Sequence, residues 1–326
     1  MTQGDRQGMA LLTVLLLVAV MSVVAVAVLD DVRFSVRRTT NAETQAQAQW
    51  YAAGAETLAR RQIERMIRLS PQRTPLKPDW DGRRFEFPID DGVIGGVLTD
   101  GQRCFNLNSV VMGQGEDLLP RPLGAAQFRA IGRAVGVPDS RMAEIADTVT
   151  DWLDADAIPQ PLGAEDGSYA GRPRPYRTGG VMLAEVSELR AIKGVDADSY
   201  RRLRPFVCAL PTTALSPINV NTLTIADAPL ITMITAGAVA PARARTLIAQ
   251  RPGRGWADIG AFWSQPMLAA VPVPEEVRDQ VTVLTRYFDL KVDVAYGGAR
   301  AVRTALLEAR PDGRVRTVIQ RWIPEE

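Results

Sequence analysis

Histidine is absent from this 326-residue chain. The side chain that titrates near neutrality is therefore missing, and with it the Ser-His-Asp and Cys-His sites and the usual zinc ligand sets. Lysine is almost as scarce. Lys77, Lys193 and Lys291 are the whole supply, so an enzyme built on this chain would depend on carboxylates or on one of these three amines. Charge of one sign is lacking too. The 38 Lys and Arg residues stand against 37 Asp and Glu, a net +1, which gives no global field to gather nucleic acid or anionic lipid. Cysteine occurs twice, at Cys104 and Cys208. In an oxidising compartment the two can pair, closing a loop whose entropy is worth about 4–5 kcal/mol. In a reducing one they are two separate buried thiols.

Charge is also missing, locally, from Met9 to Leu29. That run of 21 residues holds no Pro or Gly and only two hydroxyls, Thr13 and Ser22. As a helix it is about 31 Å long, enough to cross a bilayer's hydrocarbon core. Nothing after Leu29 repeats the pattern, so one span is expected. Three readings of it stand side by side. It is a plain anchor, or a signal peptide cleaved at Ala25-Val26-Ala27, or a prepilin-like leader cut after Gly8, as Arg6-Gln7-Gly8 directly before Met9-Ala10-Leu11-Leu12-Thr13 suggests. The apolar run is long for a signal peptide. Arg6 before the span and Arg33, Arg37 and Arg38 after it leave its orientation weakly specified.

Beyond the span, Tyr51, Ala55, Ala59, Ile63 and Ile67 recur every four residues, and Ser70-Pro71 stops the pattern. A helix from near residue 9 to near 69 is about 90 Å long, a rod half in lipid and half against something else. Residues 71–83 form a Pro- and Arg-rich connector. Phe85 to Ile89 and Val93 to Thr99 then alternate about Asp90-Asp91-Gly92, which predicts an antiparallel hairpin. Strands return only at the end, over Tyr287–Ala295, Ala301–Ala309 and Val315–Trp322. The two strand regions are expected to share one sheet packed on the long helix. What lies between them is then an insertion.

The insertion reads as helical, over Ala125–Val135, Arg141–Trp152 and Leu183–Ile192, with Asp139-Ser140 placed to cap the second helix. The segments about Gly194 and Gly237 both look like helix-hairpin-helix units. The second carries Arg243, Arg245, Arg251 and Arg254, a pattern that can hold phosphate, but Val239 occupies the position where such a hairpin wants glycine. Asp151, Asp154 and Asp156 form the densest carboxylate cluster, with Glu165 and Asp166 soon after. Pro159, Pro161 and Gly163 make the intervening stretch a loop. Hard oxygens on a loop suit calcium. The spacing is not that of an EF-hand, and a solvated acidic loop is the plainer reading of the cluster alone.

Taken together, the chain resembles the K-type minor pseudopilins of the type II secretion system (general secretion pathway protein K) over essentially its whole length. The stretches that carry the resemblance are Arg6-Gln7-Gly8-Met9-Ala10-Leu11-Leu12, Arg103-Cys104-Phe105-Asn106-Leu107-Asn108, Asp151-Trp152-Leu153-Asp154-Ala155-Asp156, Gly163-Ala164-Glu165-Asp166, Phe206-Val207-Cys208-Ala209-Leu210-Pro211 and Ile218-Asn219-Val220-Asn221-Thr222. The resemblance implies an α+β pseudopilin fold: a long N-terminal transmembrane helix packed on a small antiparallel sheet, with a large inserted α-helical domain. Residues 1–8 are then the leader and 9–29 the span. Residues 30–69 are the periplasmic part of the helix, 70–104 with 285–326 the sheet, and 105–284 the insertion.

It further implies cleavage after Gly8 by a prepilin peptidase, N-methylation of Met9, and structural calcium held by Asp151, Asp154, Asp156, Glu165 and Asp166. Gly167 stands where the family usually has one more acid. The implied setting is the bacterial inner membrane, single-pass, with the bulk in the periplasm, where pairing of Cys104 with Cys208 is favoured. The implied partners are the I- and J-type minor pseudopilins in a tip complex, with no catalysis, nucleic acid or small-molecule substrate.

Most pilin-like subunits carry a glutamate at the fifth mature position, where it neutralises a neighbour's buried ammonium. Here that residue is Thr13, whose hydroxyl cannot balance a charge in lipid. This fits a subunit that ends a stack. The runner-up is a membrane-anchored, competence-type DNA receptor, which shares the anchor and the Ile-Asn-x-Asn-Thr unit but lacks the split sheet and the acidic loop.

Overall fold

The computed structural model describes residues 3–77, 79–115 and 117–322, with side chains described from Leu11 onward. The expected cleavage and methylation pair, Gly8 and Met9, lies before the residues whose side chains are described. A single helix, α1 (Gln3–Leu69), runs about 100 Å. The described segment from Leu11 is long and apolar enough to cross a membrane, and its apolar window has none of its residues buried against the rest of the chain. The helix ends at Leu69, before Ser70-Pro71.

The outer half of α1 is two-faced. Ala48, Ala52, Ala55 and Ile63 are buried. The small size of the three alanines lets the helix lie close on a sheet formed by both ends of the chain. The hairpin β1 (Arg84–Ile89) and β2 (Gly92–Asp100) opens this sheet. The chain then leaves it for the two-residue strand β3 (Phe105–Asn106), the hairpin β4 (Val111–Gln114) and β5 (Asp117–Pro120), and the helices α2 (Pro122–Ala134), α3 (Asp139–Leu153) and α4 (Asp166–Ala170). After a 3-10 turn at Val186–Ala191 come α5 (Ala197–Leu203), β6 (Val207–Cys208), β7 (Ile218–Asn219), α6 (Ala228–Ile234) and α7 (Pro241–Ala249). The short helices α8 (Ile259–Trp263) and α9 (Glu275–Gln280) lead to β8 (Val281–Thr282). The sheet resumes with β9 (Tyr287–Tyr296), β10 (Ala299–Ala309) and β11 (Val315–Arg321).

The sheet order is β1-β2-β9-β10-β11, antiparallel throughout. Phe288, Leu290, Val292 and Val294 on β9 are buried with the helix alanines, as period-two alternation requires. Glycine at 96 on β2 has a definite cause. Its register partner Phe85 lies flat over it, and a Cβ at 96 would stand 2.2 Å from the ring. A buried ion pair fixes helix to sheet: Glu56 on α1 meets Arg303 on β10 at 2.5 Å, and Arg303 also stacks over Trp322.

Several expectations are corrected. The helix expected at Leu183–Ile192 is a 3-10 turn, closed by reciprocal Glu185–Glu188 capping. Pro138, not Asp139-Ser140, is the N-cap of α3. Asp139 sits in the first turn, where its charge faces the helix dipole rather than capping a backbone N–H. The inserted body is not purely helical: β3 pairs with β6 and β7 with β8, both parallel, and β4–β5 is an extra hairpin. Cys104 and Cys208, beside the β3–β6 pair, form a disulfide with Cα atoms 5.7 Å apart.

Where β2 leaves the sheet, the two bodies meet at buried Asp100. One carboxylate oxygen accepts hydrogen bonds from the Thr222 and Thr285 hydroxyls, at 2.6 and 2.9 Å, and the other from the Gln102 N–H at 2.9 Å. Burial pushes this carboxyl up to about 6 against the pull of those three bonds, and nearby Asp81 pushes the same way. The folded chain therefore holds that proton more tightly than the unfolded one. The group's contribution to stability falls as pH rises from about 4 to about 6, then levels. The melting-temperature difference between Asp100→Asn and wild type is expected to move in the variant's favour across that range; a difference independent of pH would contradict this.

Candidate metal centre

Helix α3 supplies the base of the carboxylate cluster. Its apolar face, Met142, Ile145, Val149 and Leu153, is fully buried, which fixes where its last turn points. That turn leaves carbonyls without intrahelical partners. The Trp152 carbonyl is met by the N–H groups of Gly179 and Gly180, at 3.1 and 3.0 Å. The Ala155 N–H bonds to the Leu118 carbonyl on β5, at 3.0 Å. The chain then loops from 154 to 165 and starts α4.

Of the five acids singled out in the sequence, three converge. Asp154, Asp156 and Glu165 each offer a carboxylate oxygen within 4.8 Å of the other two. Asp154 is 2% exposed, and neither of its oxygens has a hydrogen-bond partner; nor does Oε1 of Glu165. Burial first, and repulsion by neighbouring acids second, push the carboxyls of Asp154 and Glu165 up to about 7. Carboxylate oxygens that are desolvated, unpaired and mutually repelling fit a hard divalent cation, which removes all three penalties at once.

The other two acids are turned elsewhere. Asp151 is fully buried and accepts the N–H groups of Gln160 and Ala164, at 3.0 and 2.6 Å. Its carboxyl is raised by burial against the pull of those bonds, with Asp147 and Asp156 adding to the rise. Asp166 accepts the Thr178 N–H at 2.9 Å and its hydroxyl at 3.0 Å, and these bonds hold its carboxyl below the ordinary range. The sequence reading took Gly163 only as a loop residue, not as the place where Asp151 leaves no room for a Cβ, and it missed Thr178. Thr178 carried no signal. Gly163 carried one, standing between Pro161 and Glu165 in the acidic loop.

The basic hairpin is built differently from a phosphate clamp. It turns through Ala236 and Gly237, both at positive φ, and Val239 is buried. Arg251 is turned inward and donates to the Leu223 carbonyl.

A membrane-length helix whose outer half packs on an antiparallel sheet, with a carboxylate-bearing helical body spliced into that sheet, defines a pilin-like subunit of a membrane-anchored assembly. Family models described as "Type II secretion system (T2SS), protein K" match residues 103–212 and 218–283. The type II secretion system protein K of Pectobacterium carotovorum subsp. carotovorum is 37% identical, over 98% of this chain and 97% of its own length. That of Klebsiella pneumoniae is 35% identical, over 98% and 99%. A chain in the crystal structure of the GspK-GspI-GspJ complex of enterotoxigenic Escherichia coli superposes with a TM-score of 0.76 at 30% identity, over 88% of this chain and all of that one. The chain belongs to the type II secretion system protein K family. It is a minor pseudopilin with a single N-terminal membrane anchor.

Proposed function

We propose that this subunit caps the tip of a periplasmic pseudopilus and so supports export of folded proteins across the outer membrane. The carrying observation is the body spliced between β2 and β9. A repeating lattice would have to accommodate that bulk at every step, whereas a tip accommodates it once. Thr13 supports the same reading, since it offers no acid to a following subunit's N-terminus. In this reading prepilin peptidase cuts after Gly8, Met9 is methylated, the anchor lies in the inner membrane and the bulk is periplasmic. The domain organisation follows the split sheet: the helix, the sheet segments 70–104 and 285–326, and the insertion 105–284. The chain then acts by assembly rather than catalysis.

The partners are I- and J-type minor pseudopilins, as in the solved complex of the Escherichia coli relative. On the face of α1 turned away from its own sheet, Trp50, Leu58 and Leu69 are 74, 68 and 75% exposed. Gly54 lies between the first two, with open space where a Cβ would be. Trp50, the largest of these apolar groups, is read as the contact, since tryptophan is enriched where proteins meet. Co-purification of the full chain with I- and J-type partners from detergent tests this. Trp50→Glu is expected to lower the yield at least tenfold, because it places a charge in that contact. An undiminished yield would remove this face from the interface, and failure of the wild-type chain to co-purify would sink the tip-complex reading itself.

The carboxylate centre is read as a structural calcium site; the ion would supply positive charge that draws the 154–156 and 165 segments together. The segments about Gly194 and Gly237 are read as helix-hairpin-helix units that serve packing. Buried Val239 and inward-turned Arg251 weigh against the competence-type DNA receptor.

A further inference from the structure

We infer that the inserted body is a hinged unit: it turns on the sheet about the joint at Asp100, and the ion pair of Arg321 with Glu185 is the latch that closes it across an open cleft.

The two bodies keep separate cores. One runs from Phe105 to Val283 and lies wholly in the inserted body; the other joins α1 to the sheet. Between them lies a third cluster of three buried side chains, Leu210, Tyr287 and Leu306. Bodies that meet through small or polar contacts move relative to one another unless something holds them.

The joint is compact. The chain crosses from the sheet to the body after Asp100 and returns before Tyr287. Gln102 ties the two crossings together: its amide donates to the Leu284 carbonyl at 2.9 Å and accepts the Arg286 N–H at 2.7 Å. With the Thr222 and Thr285 hydroxyls on Asp100, this makes a pivot of hydrogen bonds at the end of β2. Away from the pivot the body stands off the sheet and leaves a cleft of about 630 Å3. The cleft floor is the sheet face turned from α1, where Lys291 lies beside Thr304 and Asp289 beside Leu306; Arg204 and Val207 line it from the body.

The latch is on the far edge. Arg321 ends β11, three strands from β2 and so about 14 Å across the sheet. Its guanidinium meets Glu185 at 2.6 Å and donates to the Ala184 carbonyl at 3.2 Å. The other oxygen of Glu185 accepts the Ser187 hydroxyl at 3.0 Å, which fixes its side chain. The two latch side chains are 26 and 39% exposed, so water competes for the bond and its strength is that of a surface pair. Such a bond, acting at the end of a lever, holds a closed form without forbidding an open one.

Spin labels on Ser140→Cys, at the start of α3, and Ala295→Cys, on β9, report the angle between the bodies in the full chain in detergent. Both positions are exposed, and the native cysteines are joined and take no label. Pulsed dipolar spectroscopy is expected to show one dominant distance and a minor second one when the latch is intact. Glu185→Gln keeps the shape and an oxygen for Ser187 but removes the charge. It is expected to raise the ratio of the second distance to the first about 2- to 5-fold, as loss of a surface pair would. Arg321→Ala should raise it at least as much. The double variant should open no further than Arg321→Ala alone, because both changes remove one contact. Glu185→Gln carries the test if Arg321→Ala folds poorly. An unchanged distance ratio in the single variants, or effects that multiply in the double variant, overturns the latch.

Discussion

Replacing both half-cystines, by Cys104→Ser with Cys208→Ser, is expected to destabilise the inserted body by about 4.7 kcal/mol. This is the loop-closure entropy of a cross-link spanning about a hundred residues, and the two cysteines are 104 positions apart. The bond stands where the chain passes between the two bodies. It staples β3 to β6, a ladder two residues long that cannot hold by itself, at the point where the chain enters the body from the sheet. On the other side of that entry, Arg103 bridges Asp81 at 2.6 Å and Asp227 at 3.5 Å. Denaturant titration followed by tryptophan emission reports the body through Trp152, Trp256 and Trp263 in its core, once Trp50, Trp80 and Trp322 outside it are replaced by Phe. A midpoint that falls with an unchanged slope is the expected signature. A loss under 1 kcal/mol would show that the ladder and the ion pairs hold the entry unaided.

Chelation is expected to act nearly as strongly. A cation present at a thousand times its dissociation constant stabilises the folded state by about 4.1 kcal/mol, and at a hundred times by about 2.7 kcal/mol. For a body of this size each kcal/mol is worth about 2–4 °C. Excess EGTA should therefore lower the body's melting temperature by about 5–16 °C, and added calcium should restore it. Barium or strontium should restore it in part, and magnesium least, since magnesium resists losing its waters. In Asp154→Asn the EGTA effect should shrink strongly. An EGTA shift that survives in that variant would place the cation elsewhere.

The parts of the fold legible in the sequence are those with a long, simple period. The uncharged run from Met9 and the four-residue recurrence from Tyr51 to Ile67 specify α1, because one face must find lipid or a sheet. The alternation of Phe288, Leu290, Val292 and Val294 specifies β9 in the same way. The two-residue parallel ladders were not legible, since β3 and β6 are made by residues a hundred positions apart and two residues show no period. The N-cap of α3 misled for a local reason. Pro138 already fixes the entry, and this moves Asp139 one position into the helix.

The site divides likewise. That acids meet in this loop was readable from spacing, and Asp154, Asp156 and Glu165 do converge, whereas Asp151 and Asp166 turn to backbone N–H groups. Which of them turn inward to backbone N–H groups was not readable, because that depends on Thr178, on the far side of the Pro- and Arg-rich segment 172–177, and on the missing side chain at Gly163.

The central claim is one of position: a subunit with this insertion and with Thr13 at its fifth mature residue ends the fibre. Gold labelling of a tagged full chain on pseudopili released from the periplasm by opening the outer membrane measures this directly. A single label at one end of each fibre is the predicted result. Labels spaced regularly along the shaft would contradict it.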